Sequence, residues 1–339
     1  MSAAPHDLVH GEQLDRALAS LHGLRVGDAL GAQFSLPGNR PLLRQRRLPA
    51  GPWRWTDDTE MACSMVAVLD AHRGVEQDAL AAAFAEHHDD QREYGPAVHR
   101  MLRQIRQEGA DWRELAGALF DGRGSWGNGA AMRAAPLGAW FAGDPLRAAE
   151  QAELSARVTH QHPEAVAGTV AVAVASALVA GGGAATTPGE RRPQSAPAGE
   201  LLLERVLEVV PRSAVAAGLR RAGDMLDYGD VETVAAVLGC GRRTSAHDTV
   251  PFTLWAAVRH LGDYEQALWT TARAGGDVDT TCAIVGGIVA SGTGSDGDAT
   301  AAAPPPEWAA RTEPLPAWVW PAGGPENSTT PGTPGVPPP

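Results

Sequence analysis

The sequence predicts an all-α protein, a compact single domain of many packed helices. Three observations carry this. Apolar residues recur at three-to-four spacing in one segment after another, and no sustained period-two alternation appears. Ala and Gly are abundant enough to let helix axes approach closely. In chain order, residues 13–33 read as a helix rich in small residues. Residues 59–72 follow a cluster of cap-type residues and stop at Gly74. Helical periodicity then returns at 78–88, 95–107, 130–141 and 145–156. Residues 163–180 contain the longest apolar run, Ala and Val interrupted by Gly168, Thr169 and Ser176. That run is short and mildly apolar, which predicts a buried helix rather than a membrane span. The pattern continues at 201–210, 214–225, 231–238, 251–260 and 264–274, and closes with a small-residue helix at 279–290.

These helices make one predicted domain over residues 1–292. Within it, 181–199 is Gly, Ala, Thr, Pro and Arg without periodicity, and reads as a flexible surface insertion. Residues 293–339 form a Gly/Ala/Pro-rich tail expected to be mostly disordered. Trp308, Trp318 and Trp320 are its candidates for local docking.

Composition narrows the chemistry. All 28 basic residues are Arg, which excludes a lysine Schiff base, a Walker-type phosphate loop and a general-base Lys. The net charge of −12 argues against general nucleic-acid binding or an anionic membrane surface, and suits a protein that binds cations. The three cysteines are widely spaced and odd in number, so neither a disulfide framework nor a zinc ribbon is readable. With no apolar signal core near Met1, a cytoplasmic monomer is expected.

Chemistry concentrates at five places. Thr56-Asp57-Asp58-Thr59-Glu60 stands at a helix start. Its carboxylates and hydroxyls are oxygen donors whose charge the helix N-terminus favours, although a plain N-cap with an acidic first turn has the same pattern. Gly275-Gly276-Asp277-Val278-Asp279-Thr280-Thr281 repeats the design, with glycines that permit unusual backbone angles before it. If the two clusters converge, four carboxylates meet, and they cannot all stay ionised in one site without cations. Hard divalent ions with oxygen ligands resolve this, Mg²⁺ by default and two ions plausibly bridged. No Cys or His cluster competes as a softer metal site.

Gly122 to Gly129 alternates glycines with contact residues. Its N–H groups and the Ser125 hydroxyl suit a phosphate, and Trp126 suits a planar group, although a glycine-rich connector looks the same. Asn128 stands out because the chain has only three Asn. Thr159-His160-Gln161-His162 has histidines two apart, a poor metal spacing on a helix, so His160 reads as a ligand-bonding histidine or a simple loop residue. Finally, Gly27-Asp28-Ala29-Leu30-Gly31 puts an Asp between glycines inside a helix. Packing explains the glycines, but a buried Asp needs a partner.

These five stretches in this order, with Ala131-Met132-Arg133 and Ser155 to Val158 alongside, resemble the ADP-ribosylglycohydrolase family over about residues 18–291. The resemblance implies a compact all-α fold around a central cleft with two magnesium ions, Mn²⁺ being the possible substitute. It implies that Thr56, Asp57 and Asp58 ligate metal from one side and Asp277, Asp279 and Thr280 from the other. Gly124, Ser125, Trp126, Gly127 and Asn128 would line the ADP-ribose groove, with His160 near the diphosphate or distal ribose. Asp28 would join the site from behind, and Asp57 or Asp58 would orient the attacking water. The implied reaction is hydrolysis of the bond between ribose C1″ and a modified side chain of an ADP-ribosylated protein or other conjugate. Arginine is the favoured linkage, by analogy with bacterial relatives. One departure stands out: Ser35 occupies the position where many relatives carry Glu.

Two other readings follow from the residues. Asp277-Val278-Asp279-Thr280-Thr281 fits the Asp-x-Asp-x-Thr motif of haloacid-dehalogenase-type phosphatases, although that motif should end a buried strand early in a domain and usually pairs with a Lys. Ser35 motivates an ADP-ribose-binding protein without turnover.

Overall fold

The structure, a computed structural model, describes residues 5–182, 198–293 and 299–319. In chain order its helices are α1 (Pro5–Ser35), α2 (Arg40–Arg44), α3 (Asp57–His72), α4 (Gln77–His87), α5 (Pro96–Glu108), α6 (Trp112–Gly122), α7 (Ala135–Trp140) and α8 (Pro145–Arg157). There follow α9 (Pro163–Ala180), α10 (Ala198–Val209), α11 (Ala214–Asp224), α12 (Val231–Leu238), α13 (Ala246–Arg259), α14 (Tyr264–Arg273), α15 (Val278–Ala290) and α16 (Pro306–Arg311). No strand occurs among the described residues, so the all-α expectation holds. This removes the phosphatase reading, because Asp277 caps a helix rather than ending a strand.

The centre of the fold is the crossing of α1 with α15. Gly23, Gly27 and Gly31 recur every fourth residue and so share one face of α1. A Cβ on Gly27 would fall on the Cys282 carbonyl, and one on Gly31 would lie 2.6 Å from Asp279 Cα. Gly23 meets Gly286 across the same seam. The two helices therefore touch backbone to backbone, and Asp28 is carried to the first turn of α15. Helix α9, the long apolar segment, is buried from Ala165 to Ala180 and packs beside this pair.

Three features differ from the sequence reading. Helix α6 was not expected. It buries only Trp112 and Ala116, too thin a stripe to read, and Asp111 caps it by accepting the Arg113 N–H at 2.8 Å. Helix α13 begins at Ala246, ahead of the expected 251, and keeps Pro251 inside; that ring packs on Gly218 of α11, where a Cβ would collide with it. The packed body also runs past residue 292. Trp308 is buried against Tyr264 and Trp269, and Glu313 accepts two hydrogen bonds from Arg92 at 2.8 and 2.9 Å. Trp318 stacks on His87, with ring centroids 3.6 Å apart. Trp320, most of the 181–199 insertion and the rest of the tail lie outside the described residues.

Candidate active site

Asp28 organises the start of α3. Its carboxylate is fully buried and accepts four hydrogen bonds: the Thr56 N–H and hydroxyl, both at 2.9 Å, and the Thr59 N–H at 3.2 Å and hydroxyl at 2.5 Å. Thr56 is the N-cap, extended at φ −110° and ψ −163°. A buried Asp inside α1 thus acquires the partners it requires, and the first turn of α3 is pinned to α1.

The α1–α15 crossing brings the second acidic cluster to the same place. Thr280 donates its hydroxyl to Asp58 at 3.3 Å, and Asp279 accepts its neighbour's N–H at 3.0 Å. Asp277 accepts from Asn128 Nδ2 at 2.7 Å, and the same nitrogen donates to Thr249 at 3.1 Å. Burial pushes Asp28 and Asp279 up to about 7 and holds Asp57 and Asp58 well above the carboxylate range. Neighbouring carboxylates add to the rise at both, while the buried Arg133 acts on Asp57 in the opposite sense. The acidic set itself offers only oxygen donors. Its chemistry fits a hard divalent cation.

The glycine-rich stretch forms the facing wall. Ser125 accepts the Gly127 N–H at 3.2 Å, and Asn128 N–H donates to Thr244 at 3.1 Å, fastening the loop to the start of α13. His160 lies over this loop: a Cβ on Gly127 or Gly129 would come within 3.2 Å of its Nε2. The fully buried Arg133 donates to the Thr159 hydroxyl oxygen at 2.9 Å, and that hydroxyl meets His160 Nδ1 at 2.7 Å. If Thr159 spends its own proton on Nδ1, the histidine proton sits on Nε2, facing the loop. Burial, reinforced by Arg133, drops the His160 pKa to about 3, so the ring is neutral. Trp126 packs on Phe120 with ring centroids 4.6 Å apart.

A cavity of about 560 Å³ lies between the walls, a size typical of small-molecule sites. Asp57, Asp277, Asp279 and Thr280 border it on one side; Ser125, Trp126, Gly127, Asn128 and His160 border it on the other. Thr56 and Asp58 are buried behind the acidic wall, and Asp28 lies deeper still, with no solvent exposure. Gly124 shapes the loop at φ +73° and does not face the cavity. Among the lining residues that the sequence reading missed are Glu93, Pro96, Val98, Met132 and Arg243. Only Met132 lay in a matched stretch; the others carry no motif.

A larger cavity of about 810 Å³ lies across the start of α15, where Gly276 and Val278 face one cavity while Asp277 and Asp279 face the other. It is lined by Ser35 with Arg40, Arg44, Arg46, Arg242 and Arg273 and lacks paired carboxylates, so the smaller cavity carries the chemistry. Ser35 thus opens away from the acidic set.

Comparison with known proteins agrees. The family model for ADP-ribosylglycohydrolase matches residues 10–322. An uncharacterised protein of Archaeoglobus fulgidus is 32% identical over 78% of this chain and 84% of its own length. Human ADP-ribosylhydrolase ARH3 is 28% identical over 71% of each chain. The ADP-ribosyl-[dinitrogen reductase] glycohydrolase of Rhodospirillum rubrum is 31% identical over 44% of this chain and 52% of its own. A solved structure, an ADP-ribosylglycohydrolase-related protein complex, superimposes with a TM-score of 0.59 at 25% identity, covering 89% of this chain and 94% of that one. A match over nearly the whole chain, on a fold whose two acidic helix starts meet at one cavity, makes this protein an enzyme of the ADP-ribosylglycohydrolase family.

Proposed function

We propose that this chain releases ADP-ribose from a modified protein by hydrolysing the bond at ribose C1″, with Mg²⁺ as cofactor and arginine as the linkage. The observation that carries this reading is the convergence of Asp57, Asp58, Asp277 and Asp279 opposite the Ser125–Asn128 loop and His160. Asp57, Asp58, Asp277, Asp279, Thr56 and Thr280 would hold one or two ions, Mg²⁺ or in its place Mn²⁺. Bound metal would neutralise the carboxylates and favour ionisation of water.

The remaining steps belong to the protein. His160 Nε2–H and the Ser125 hydroxyl donate to the diphosphate or distal ribose oxygens, and Trp126 flanks the ligand. Asn128 holds Asp277 in place. Asp57, open to the cavity, orients the water, backed by Asp58. The C1″–N bond breaks, a C1″–O bond to water forms, and the water proton ends on the departing guanidine. The carboxylates stabilise the positive charge that develops at C1″.

The test is release of ADP-ribose from arginine-, serine- and nucleic-acid-linked substrates with Mg²⁺, with Mn²⁺ and with EDTA. Turnover on the arginine linkage, abolished by EDTA and by Asp58→Asn or Asp279→Asn, is expected. Tight ADP-ribose binding with no turnover on any substrate would replace this reading with that of a binding protein.

A further inference from the structure

We propose a second metal site, separate from the acidic cluster, in which His88, Asp90 and His99 take a transition metal of the zinc class. The Nδ1 of His88 stands 3.6 Å from Asp90 Oδ1, and the Nδ1 of His99 stands 3.9 Å from the same oxygen. The cluster's three ligand atoms all lie within 4.8 Å of one another. These separations are too long for hydrogen bonds. They approach the spacing of donors around one tetrahedral ion, where bonds of about 2.0–2.1 Å put neighbours roughly 3.4 Å apart.

A second observation points the same way. The His88 side chain is 2% exposed, and its Nδ1 faces only the distant Asp90, at 3.6 Å. Buried polar groups in folded proteins almost always have partners. A metal on Nδ1 supplies one at that atom. Burial and the neighbouring His99 hold His88 below its usual pKa, in the neutral form that metals bind. Two imidazoles and one carboxylate select Zn²⁺ or Co²⁺ over Mg²⁺, the reverse of the all-oxygen set. An open cavity of about 480 Å³ beside His88 and Asp90 leaves room for water to complete the coordination. In the sequence, positions 88, 90 and 99 match no metal-ligand spacing; the turn between α4 and α5 gathers them.

The site has a consequence for the catalytic cavity. His88 caps the end of α4 and His99 lies on α5, and the segment between them, the loop and the first turn of α5, carries Glu93 to Val98, part of the cavity wall. Tyr94 on that loop packs edge-on to His88, with ring centroids 4.5 Å apart, and donates to Glu60 on α3 at 2.7 Å. A metal here clamps the wall to α3.

Zn²⁺ is titrated calorimetrically into the EDTA-treated full chain, its Asp58→Asn variant and its His99→Ala variant, with folding checked by circular dichroism. A one-equivalent Zn²⁺ site that persists in Asp58→Asn and weakens by more than about 100-fold in His99→Ala is expected. Co²⁺ should give the intense visible absorption of tetrahedral cobalt in Asp58→Asn and not in His99→Ala. Zn²⁺ should also slow amide exchange across residues 93–98. Absence of a Zn²⁺ site in Asp58→Asn, or Zn²⁺ binding by His99→Ala as tight as by Asp58→Asn, overturns the site. Unchanged exchange overturns the clamp. None of these readouts requires hydrolase activity, so the result stands apart from the catalytic proposal.

Discussion

Asp28 accepts both the main-chain N–H and the hydroxyl of Thr56, each at 2.9 Å, across the contact between α1 and α3. The residue that opens the first acidic cluster is therefore held from another helix.

Asp28→Ala leaves the buried N–H and hydroxyl groups of Thr56 and Thr59 without an acceptor. It should cost about 3 kcal/mol or more of stability in the presence of divalent cation. Thr59→Val removes one side-chain donor and should cost about 1 kcal/mol. Denaturant titration of both variants checks the order, and equal losses would count against Asp28 as the organising acceptor.

Gly27→Ala places a methyl on the Cys282 carbonyl, which is backbone and cannot swing aside. Separation of α1 from α15 should cost about 2–3 kcal/mol. Because Asp28 and Asp279 lie on these two helices, Mg²⁺ affinity measured by calorimetry should fall with it. A variant of native stability would contradict the backbone contact.

Asn128→Asp replaces a donor to Asp277 with a fifth carboxylate at the cavity. Turnover at saturating Mg²⁺ should drop about 100-fold, equivalent to about 2.7 kcal/mol. Asn128→Ala, which only removes the hydrogen bond, should lose less. Steady-state kinetics on both variants separates repulsion from a lost contact.

Protons and cations compete for the same oxygens. Asp28 and Asp279 have folded pKa values raised to about 7. A raised carboxylate contributes stability below its unfolded value of about 3.9 and loses it as pH rises through about 7. Without cation, this contribution falls over that window; bound Mg²⁺ removes the fall. The Mg²⁺-induced rise in melting temperature should therefore be small at pH 5 and grow through pH 7. His160, lowered to about 3, has the opposite slope, with stability lost as pH falls from about 6.5. That slope is common to both conditions and cancels in the difference. Scanning calorimetry in EDTA and in Mg²⁺ makes the comparison, and a Mg²⁺ effect independent of pH would contradict it.

Much of the site was readable in the chain. Thr56 and Asp57 read as a helix start because capping is a matter of adjacent residues, and the structure places Thr56 at the N-cap. Gly127 reads as a groove position, and the His160 ring lies against it. The wall from Glu93 to Val98, the metal-ligand geometry of His88, Asp90 and His99, and the docking of Glu313 on Arg92 were not readable. Each depends on segments meeting through a turn or across the chain, and none leaves a periodic signature.

By itself, the sequence determined the helical class, the all-oxygen character of both acidic clusters and their positions at helix starts. These follow from local periodicity, capping and side-chain chemistry. Only the tertiary structure decided that the clusters face one cavity, that Asp28 lies behind them and that Ser35 opens elsewhere. The physical reason is the seam where Gly23, Gly27 and Gly31 admit α15 at backbone distance, a long-range packing relation that no local pattern encodes.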